Sequence, residues 1–304
     1  MSGTSSGGTS FVKRQLDFTF TLFQGTFTGT GANSLTVSGL RARADLTLQQ
    51  APSSFQLQAR VFGLPQSVMN DLSTMGKVIG DNKYNRVDVY AGDTVNGMGL
   101  VFSGNVYDAW GNYTDAPNVS FDITATTGAI DSISPVSPIS YQGSVDVATI
   151  LSGIASQMNP PRVFQNYGVN VIVQNAYHPG TAIQQIQEIC DLAGVFYSDD
   201  GKTLAIWPPG GAIGGAIPLI GPDTGMVGYP TYTRNGIDLV TVFNPAIRFG
   251  GLIQVQSSVK GANGVFNVGT MVHNLEAQTP GGAWFTALRL IDPVIWQQRG
   301  ASPS

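Results

Sequence analysis

Phe55-Gln56-Leu57-Gln58-Ala59-Arg60-Val61 alternates apolar and polar side chains until Gly63-Leu64-Pro65 stops it. A period of two is that of a strand buried on one face. From Pro65 to Met75 the period changes. Val68, Met69 and Leu72 fall at helical spacing, which predicts a helix of two or three turns crossing the sheet. Strands resume at Val87–Tyr90, Leu100–Tyr107 and Val119–Ala125, separated by Asn96-Gly97 and Gly111-Asn112. Those dipeptides supply the positive φ of tight turns. Residues 55–127 are therefore expected to form an up-and-down antiparallel sheet, a scaffold without a charged pocket.

Upstream, Leu40, Ala42, Ala44, Leu46 and Leu48 alternate in turn and match Phe55, Leu57, Ala59 and Val61 as a hairpin across Ala51-Pro52-Ser53-Ser54. Downstream, Ser134-Pro135-Val136-Ser137-Pro138 breaks regular structure and the period becomes helical. Ser144 is the expected cap of a helix with Asp146 at its positive end and Val147, Ile150, Leu151, Ile154 and Met158 as its apolar stripe, ended by Pro160-Pro161. A strand through Val169, Val171 and Val173 follows. Thr181 with Gln184 then forms a capping box opening a helix through Ile183, Ile186 and Cys190, which Gly194 closes. Val195–Tyr197 and Thr203–Ile206 pair over Ser198-Asp199-Asp200-Gly201.

A second break, Trp207-Pro208-Pro209-Gly210-Gly211 with Gly214-Gly215, returns the chain to strands at Leu239–Phe243, Leu252–Val255, Val265–Val268 and Trp284–Leu288. Gly250-Gly251, Asn263-Gly264 and Pro280-Gly281-Gly282 join them. Gly99–Val106 and Gly264–Val272 share a rough pattern, so the two β regions are candidates for copies of one unit, with chance similarity between strands as the alternative. The expected architecture is mainly β with an α/β insert: two antiparallel β-barrel domains flanking a small α+β module. Its divisions are a flexible N-terminal tract (1–10), a first tube-like domain (11–130), the module (131–215), a second tube-like domain (216–295) and a C-terminal tail (296–304).

Composition narrows the function. The chain has 304 residues, two domains' worth, yet only 11% are charged and the net charge is −4. Ordinary soluble proteins carry roughly twice that charged fraction, so a surface so poor in charge fits a protein whose faces lie against partners. No Lys/Arg cluster stands ready to grip phosphates. A single cysteine, Cys190, excludes an internal disulfide. The Ser/Thr/Gly tract Met1–Ser10 has no apolar run, and no stretch is long and apolar enough to span a membrane, so neither a secretory signal nor a spanning helix is expected.

Ala59-Arg60-Val61-Phe62-Gly63-Leu64-Pro65, Val87-Asp88-Val89-Tyr90-Ala91-Gly92 and Leu100-Val101-Phe102-Ser103-Gly104-Asn105-Val106 resemble, in order and spacing, blocks of the phage tail hub family. That family includes baseplate hub and late-control proteins and is related to the barrel part of type VI secretion spikes. Asp191–Tyr197 with Asp200–Leu204, and Phe243–Ile253, resemble its later blocks, so the likeness covers about Leu40 to Leu290. Tyr90-Ala91-Gly92-Asp93 departs from the family's aromatic after the glycine, and the N-terminal tract has no counterpart.

The resemblance implies a structural, non-enzymatic baseplate hub in the virion, assembled in the host cytoplasm. It would be a homotrimer whose two barrels per copy form a ring. That ring would adapt a six-fold tail tube, or its initiator protein, to a three-fold central spike, with a channel for DNA and the tape-measure protein. A contractile tail is the expectation, although hubs face tube and spike in both tail types. A bore lined by Asn, Gln, Ser, Thr and an excess of acid would let DNA pass without adhering.

Competing chemistry finds little to build on. His178 before Pro179-Gly180 reads as a polar turn residue and His273 as a strand residue; neither has a second His or Cys at zinc spacing. Cys190 lies on the apolar side of its helix. Asp199-Asp200 before Gly201 fits a hairpin turn rather than a catalytic or calcium-binding pair. Gly210–Gly215 does not run from a strand into a helix and reads as a linker, not a dinucleotide loop. No catalytic, cofactor or metal residue is assigned, and interface residues are left open. The alternative function is a tail-associated carbohydrate-binding or glycan-degrading protein, resting on Tyr107, Trp110 and Tyr113 as a sugar-stacking set.

Overall fold

The computed structural model describes residues 13–49, 54–74, 84–93 and 97–292. The N-terminal tract, most of the Ala51–Ser54 turn, Asn96, Met75 and the C-terminal tail lie outside the described residues.

The first β unit comprises β1 (Arg14–Thr21), β2 (Ser34–Val37), β3 (Ala42–Gln49), β4 (Gln56–Phe62), α1 (Gln66–Leu72), β5 (Arg86–Asp93), β6 (Gly97–Asn112) and β7 (Ser120–Thr126). The alternation in β3 and β4 fixes their register. Ala42, Ala44 and Leu46 lie opposite Val61, Ala59 and Leu57, and all six are buried. A slip of one residue would turn that whole apolar set to solvent. α1 buries Val68, Met69 and Leu72.

Two expectations are corrected here. The strands run in the order β3-β4-β7-β6-β5-β1-β2, so only β5, β6 and β7 form a simple meander; β4 pairs with β7 while α1 carries the chain across. Gly111-Asn112 is not a turn but the end of β6, opposite Phe121 and Ser120. The Asn112 side chain makes the reversal instead, its Oδ1 accepting from the Thr114 backbone N–H at 3.1 Å and hydroxyl at 2.8 Å.

The module holds α2 (Ala129–Ile133), β8 (Ile139–Ser140), β9 (Ser144–Asp146), α3 (Val147–Gln157), β10 (Val163–Asn166), β11 (Ile172–Gln174), β12 (Tyr177–His178), α4 (Ala182–Ala193), β13 (Phe196–Asp199) and β14 (Thr203–Trp207). It has a hydrophobic core of its own, into which α3 sends Val147, Ile150, Leu151 and Ile154. The cap of α3 is Asp146, whose carboxylate accepts from the Ala148 N–H at 3.0 Å. Ser144 is held in β9 opposite Gln174, too far back to reach the first turn. The Thr181–Gln184 capping box opens α4 and Gly194, at φ 64, closes it. The strand expected around Val169–Val173 is shorter, as β11, and β10 pairs in parallel with β14.

The second β unit is β15 (Leu219–Ile220), β16 (Met226–Thr233), β17 (Gly236–Val242), β18 (Leu252–Val255), β19 (Gly264–Ala277) and β20 (Trp284–Ile291). Its order is β16-β17-β20-β19-β18, with β15 parallel beside β18. The two β units are not separate bodies. β19 pairs along its second half with β3, from Ala42↔Ala277 to Gln49↔Thr270, so one sheet of 13 strands runs through both. One continuous core fills them, and it takes in Trp207 from the expected linker.

The two units are the same structure in the same register. β4-β7-β6-β5 occupies the places of β17-β20-β19-β18. In each, one long strand changes partner at a buried asparagine. Asn105 lies opposite Arg86 in β5 and Thr126 in β7, and Asn267 lies opposite Leu252 in β18 and Ile291 in β20. A register shift follows at once in both, between Val106 and Asp108 and between Val268 and Thr270. A bulge at that point bends the strand and increases its twist. The sequence pattern identified the right strands but set Gly99 on Gly264; in the structure Phe102 holds the place of Gly264, each opposite a buried valine, Val89 or Val255.

Candidate assembly surfaces

One face of the long sheet covers the core and the other is open. Across the open face, cross-strand rows run Val227–Val240–Ala287–Val272–Thr47–Gln56, Asn274–Asp45–Gln58–Thr124 and Glu276–Arg43–Arg60–Asp122–Trp110. Three arginines of this face are each held by a carboxylate, Arg43 by Asp45 at 2.7 Å, Arg60 by Asp122 at 2.7 Å and Arg289 by Asp238 at 3.1 Å, while Arg41 stacks over the Phe62 ring. Asp108 and Glu276 add further acid. Each pair raises the arginine pKa, chiefly through its hydrogen bond to the carboxylate.

The module carries a buried charge triad of its own. Arg162 reaches Asp199 at 2.8 Å and Asp131 at 3.0 Å, with all three side chains less than a tenth exposed. Its guanidinium also donates to the Pro160 carbonyl. Burial works against the Arg162 charge, but Asp199 and Asp131 outweigh it and raise its pKa. Burial likewise raises the Asp131 carboxyl, against the pull of the Asn159 N–H and Arg162. Beside this triad the tip of the β13–β14 hairpin sits on β5 and β6. Lys202 Nζ lies 2.6 Å from Asp88, Arg86 donates to the Ser103 hydroxyl at 2.7 Å, and that hydroxyl donates to Asp88 at 2.6 Å. Gly201 packs so closely that a Cβ there would collide with the Ser103 carbonyl.

The residues singled out by sequence are dispersed. His178 pairs with Glu188 at 2.9 Å. His273 is buried, hydrogen-bonded to Thr286 at 2.8 Å and edge-on to Phe243, and burial pushes its pKa down to about 4. Cys190 is buried and its thiol pKa is pushed up by desolvation, so it packs and does not react. Asp200 serves the turn, accepting from the Lys202 and Thr203 N–H groups at 2.9 and 2.6 Å. Asp199 departs from the turn reading, since it also belongs to the Arg162 triad. Gly210–Gly215 links β14 to the second unit, with Gly211 N–H donating to Pro208 at 2.9 Å.

The three aromatics do not form one platform. Tyr107 lines a groove with Tyr84 and Ile133, Tyr113 lines another with Arg41 and Phe62, and Trp110 stands opposite Asp122 in the open rows. A cavity of about 430 Å³ where the module meets both units is lined by Phe55, Phe102, Ile213, Phe249 and His273, among others. Among the described residues, no group of His, Cys, Asp or Glu could hold a metal ion, and no helix is long and apolar enough to cross a membrane.

This fold is that of phage and prophage tail proteins and type VI spike components. It is shared with the tail protein from Neisseria meningitidis MC58 (TM-score 0.62, 11% identity, covering 94% of this chain and 99% of that one). It is shared equally with the 43 kDa tail protein of prophage MuSo2 from Shewanella oneidensis (TM-score 0.59, 10% identity, 94% and 98% covered). The E. coli c3393 protein, a type VI secretion component described as similar in structure to the T4 bacteriophage tail proteins gp27 and gp5, matches with TM-score 0.55 at 10% identity over 83% of this chain and 73% of its own. No curated protein matches the chain by sequence. The family model Baseplate hub gp41 matches residues 59–280. The chain belongs to that family: it is a phage baseplate hub protein.

Proposed function

We propose that three copies of this chain close into a ring that joins a six-fold tail tube, or its initiator, to a three-fold central spike. The observation that carries this reading is the duplicated β unit. Two units in one register stand side by side through β3 and β19, so each copy supplies two of six similar segments. The contact is heterologous, one edge against a different edge, and such contacts close into rings when the rotation allows. On this reading residues 11–130 and 216–295 are the tube-like domains, and residues 131–215 form a module fastened to the first.

The open face of the sheet would line the channel. Arg43, Arg60 and Arg289 are paired with carboxylates and acid is in excess, which suits the passage of DNA and tape-measure protein, because phosphate adhesion needs unpaired cations gathered together. The role is structural, in the virion tail, built in the host cytoplasm. Negative-stain imaging of the purified chain, with its mass in solution, tests the reading. Three-fold class averages with a central hole are expected, and a stable monomer at high concentration overturns it.

A further inference from the structure

At the far end of the sheet, β16 pairs with β17 on one side, and among the described residues no strand covers its other edge. We propose that this edge pairs with β6 of a neighbouring copy, in the register that β3 takes on β19 within the chain. The inference rests on the hub reading and supplies its seam.

The register follows from the duplication. Asp45, Leu46 and Thr47 lie opposite Gln58, Leu57 and Gln56 in the first unit, and Thr231, Tyr232 and Thr233 hold the same places opposite Asp238, Ile237 and Gly236 in the second. Within the chain, Asp45, Leu46 and Thr47 face Asn274, His273 and Val272 of β19. The counterparts of those three residues on β6 are Asn112, Gly111 and Trp110. Thr231, Tyr232 and Thr233 of one copy therefore fall opposite Asn112, Gly111 and Trp110 of the next.

Three further observations fit that seam. Leu46, flanked on both sides by strands, is 0% exposed, whereas its counterpart Tyr232 is 56% exposed, and Tyr229 on the same strand is 73% exposed. Among the described residues, the edge of β6 is open only where β16 would lie. Thr74 N–H donates to the Ala109 carbonyl at 2.9 Å and Ala109 N–H donates to the Thr74 hydroxyl at 2.8 Å. Thr74 thus occupies the place of the last residues of β3, and β16 ends at Thr233, short of it. Gly111 offers no side chain where Tyr232 would cross, an aromatic-over-glycine pairing that compensates a bare strand position. The half-exposed Tyr113 ring beside Gly111 gives the incoming tyrosine a surface.

Ala109 directs its N–H and carbonyl to this edge, so Asn112, three residues on, occupies a non-hydrogen-bonded position with its Cα about 4.5 Å from the residue opposite, within disulfide reach. The test is oxidative cross-linking of the full chain carrying Asn112→Cys and Thr231→Cys, sized alongside by light scattering. The offset pair Asn112→Cys and Thr233→Cys is the comparison, because diagonal neighbours stand about 7–8 Å apart. The in-register pair is expected to give covalent dimers and trimers at least ~10-fold faster than the offset pair. Rings of three with the offset pair faster, or with neither pair linking, overturn this register and leave the hub reading standing. Monomers with no cross-link overturn both. Tyr232→Arg is expected to leave a folded monomer; trimers of unchanged affinity would count against the seam.

Discussion

The two β units share strand order and register, yet they differ where the β5–β6 pair and the β18–β19 pair open to the rest of the molecule. In the first unit that edge carries Arg86, Asp88 and Ser103, which hold Lys202 and Gly201 of the module. The same places in the second unit are Leu252, Gln254 and Val265, and β15 of the chain lies along β18. Ladder hydrogen bonds come from the backbone and keep the register whatever the side chains are. Each copy of the unit could therefore take on a different neighbour without altering its sheet. The first holds the module; in the second, among the described residues, no strand covers the outer edge of β16.

The sharpest way to break this comparison is to loosen the module from within. Arg162→Met leaves Asp131 and Asp199 buried without their cation, and breaking a buried pair this way costs about 3–5 kcal/mol. Chemical denaturation should show the module, with its own core, losing stability first while the sheet persists. A single transition of unchanged midpoint would mean that the triad does not stabilise the module.

His273 marks a second difference, because its counterpart in the first unit is Gly111. The buried imidazole has its pKa lowered to about 4 from 6.5. Between those values the unfolded chain binds the proton and the folded chain does not. The stability is full above pH 6.5 and falls as pH drops toward 4, by roughly 3 kcal/mol at the lower end. His273→Gln should flatten that slope relative to the unaltered chain in denaturation measured at stepped pH. Parallel slopes for the two would show that His273 titrates normally.

The bulges give a finer contrast. Gly269 stands where the first unit has Tyr107, so the bulge itself accepts a side chain; a Cβ at Gly269 would collide with Ile291, whose counterpart is Thr126. Gly269→Ala should cost about 1–2 kcal/mol, and adding Ile291→Thr should recover part of it in a double-mutant cycle. Gly104 is different, because its Cβ would lie 2.6 Å from the Thr126 carbonyl oxygen, which is backbone. Gly104→Ala should cost about 2–3 kcal/mol, and Thr126→Ala should not relieve it, since the oxygen stays in place. Recovery by that second change would place the strain in the side chain instead.

What the sequence revealed follows the same division. Strands with one face in the core, such as β3, β4, β17 and β20, carry a period of two because burial imposes it, and the α4 caps are local chemistry. β16 carries no such period. Its Val227, Tyr229, Pro230 and Tyr232 belong to an edge whose burial depends on something beyond the single chain. The Asp131–Arg162–Asp199 triad gathers residues far apart in sequence, so nothing local announces it. The expected turn at Gly111-Asn112 failed because an asparagine can make a turn with its side chain as readily as with its backbone. The seam at Trp207 misled for a related reason: the prolines and glycines after it do mark a connection, but the ring before them is pinned under Gly250 in the shared core.

The smallest expected effect concerns the open face. Arg60 and Asp122 stand where the second unit has Val240 and Ala287. Arg60 is about half exposed, and pairs of that kind contribute only about 0.2–1 kcal/mol. Arg60→Val with Asp122→Ala, which copies the second unit into the first, should therefore shift Tm by no more than a few degrees. Under the proposed bore, the use of the pair is to mask the Arg60 charge from phosphate. Asp122→Ala alone leaves Arg60 without its carboxylate on the open face, and with Asp45→Ala it leaves Arg43 only Glu276, 3.7 Å away. That double variant should retain duplex DNA at low salt and release it as salt rises, whereas the unaltered chain should not retain it. Equal retention by both would mean that the carboxylates do not mask the arginines, and the open face would then have no claim to line a bore.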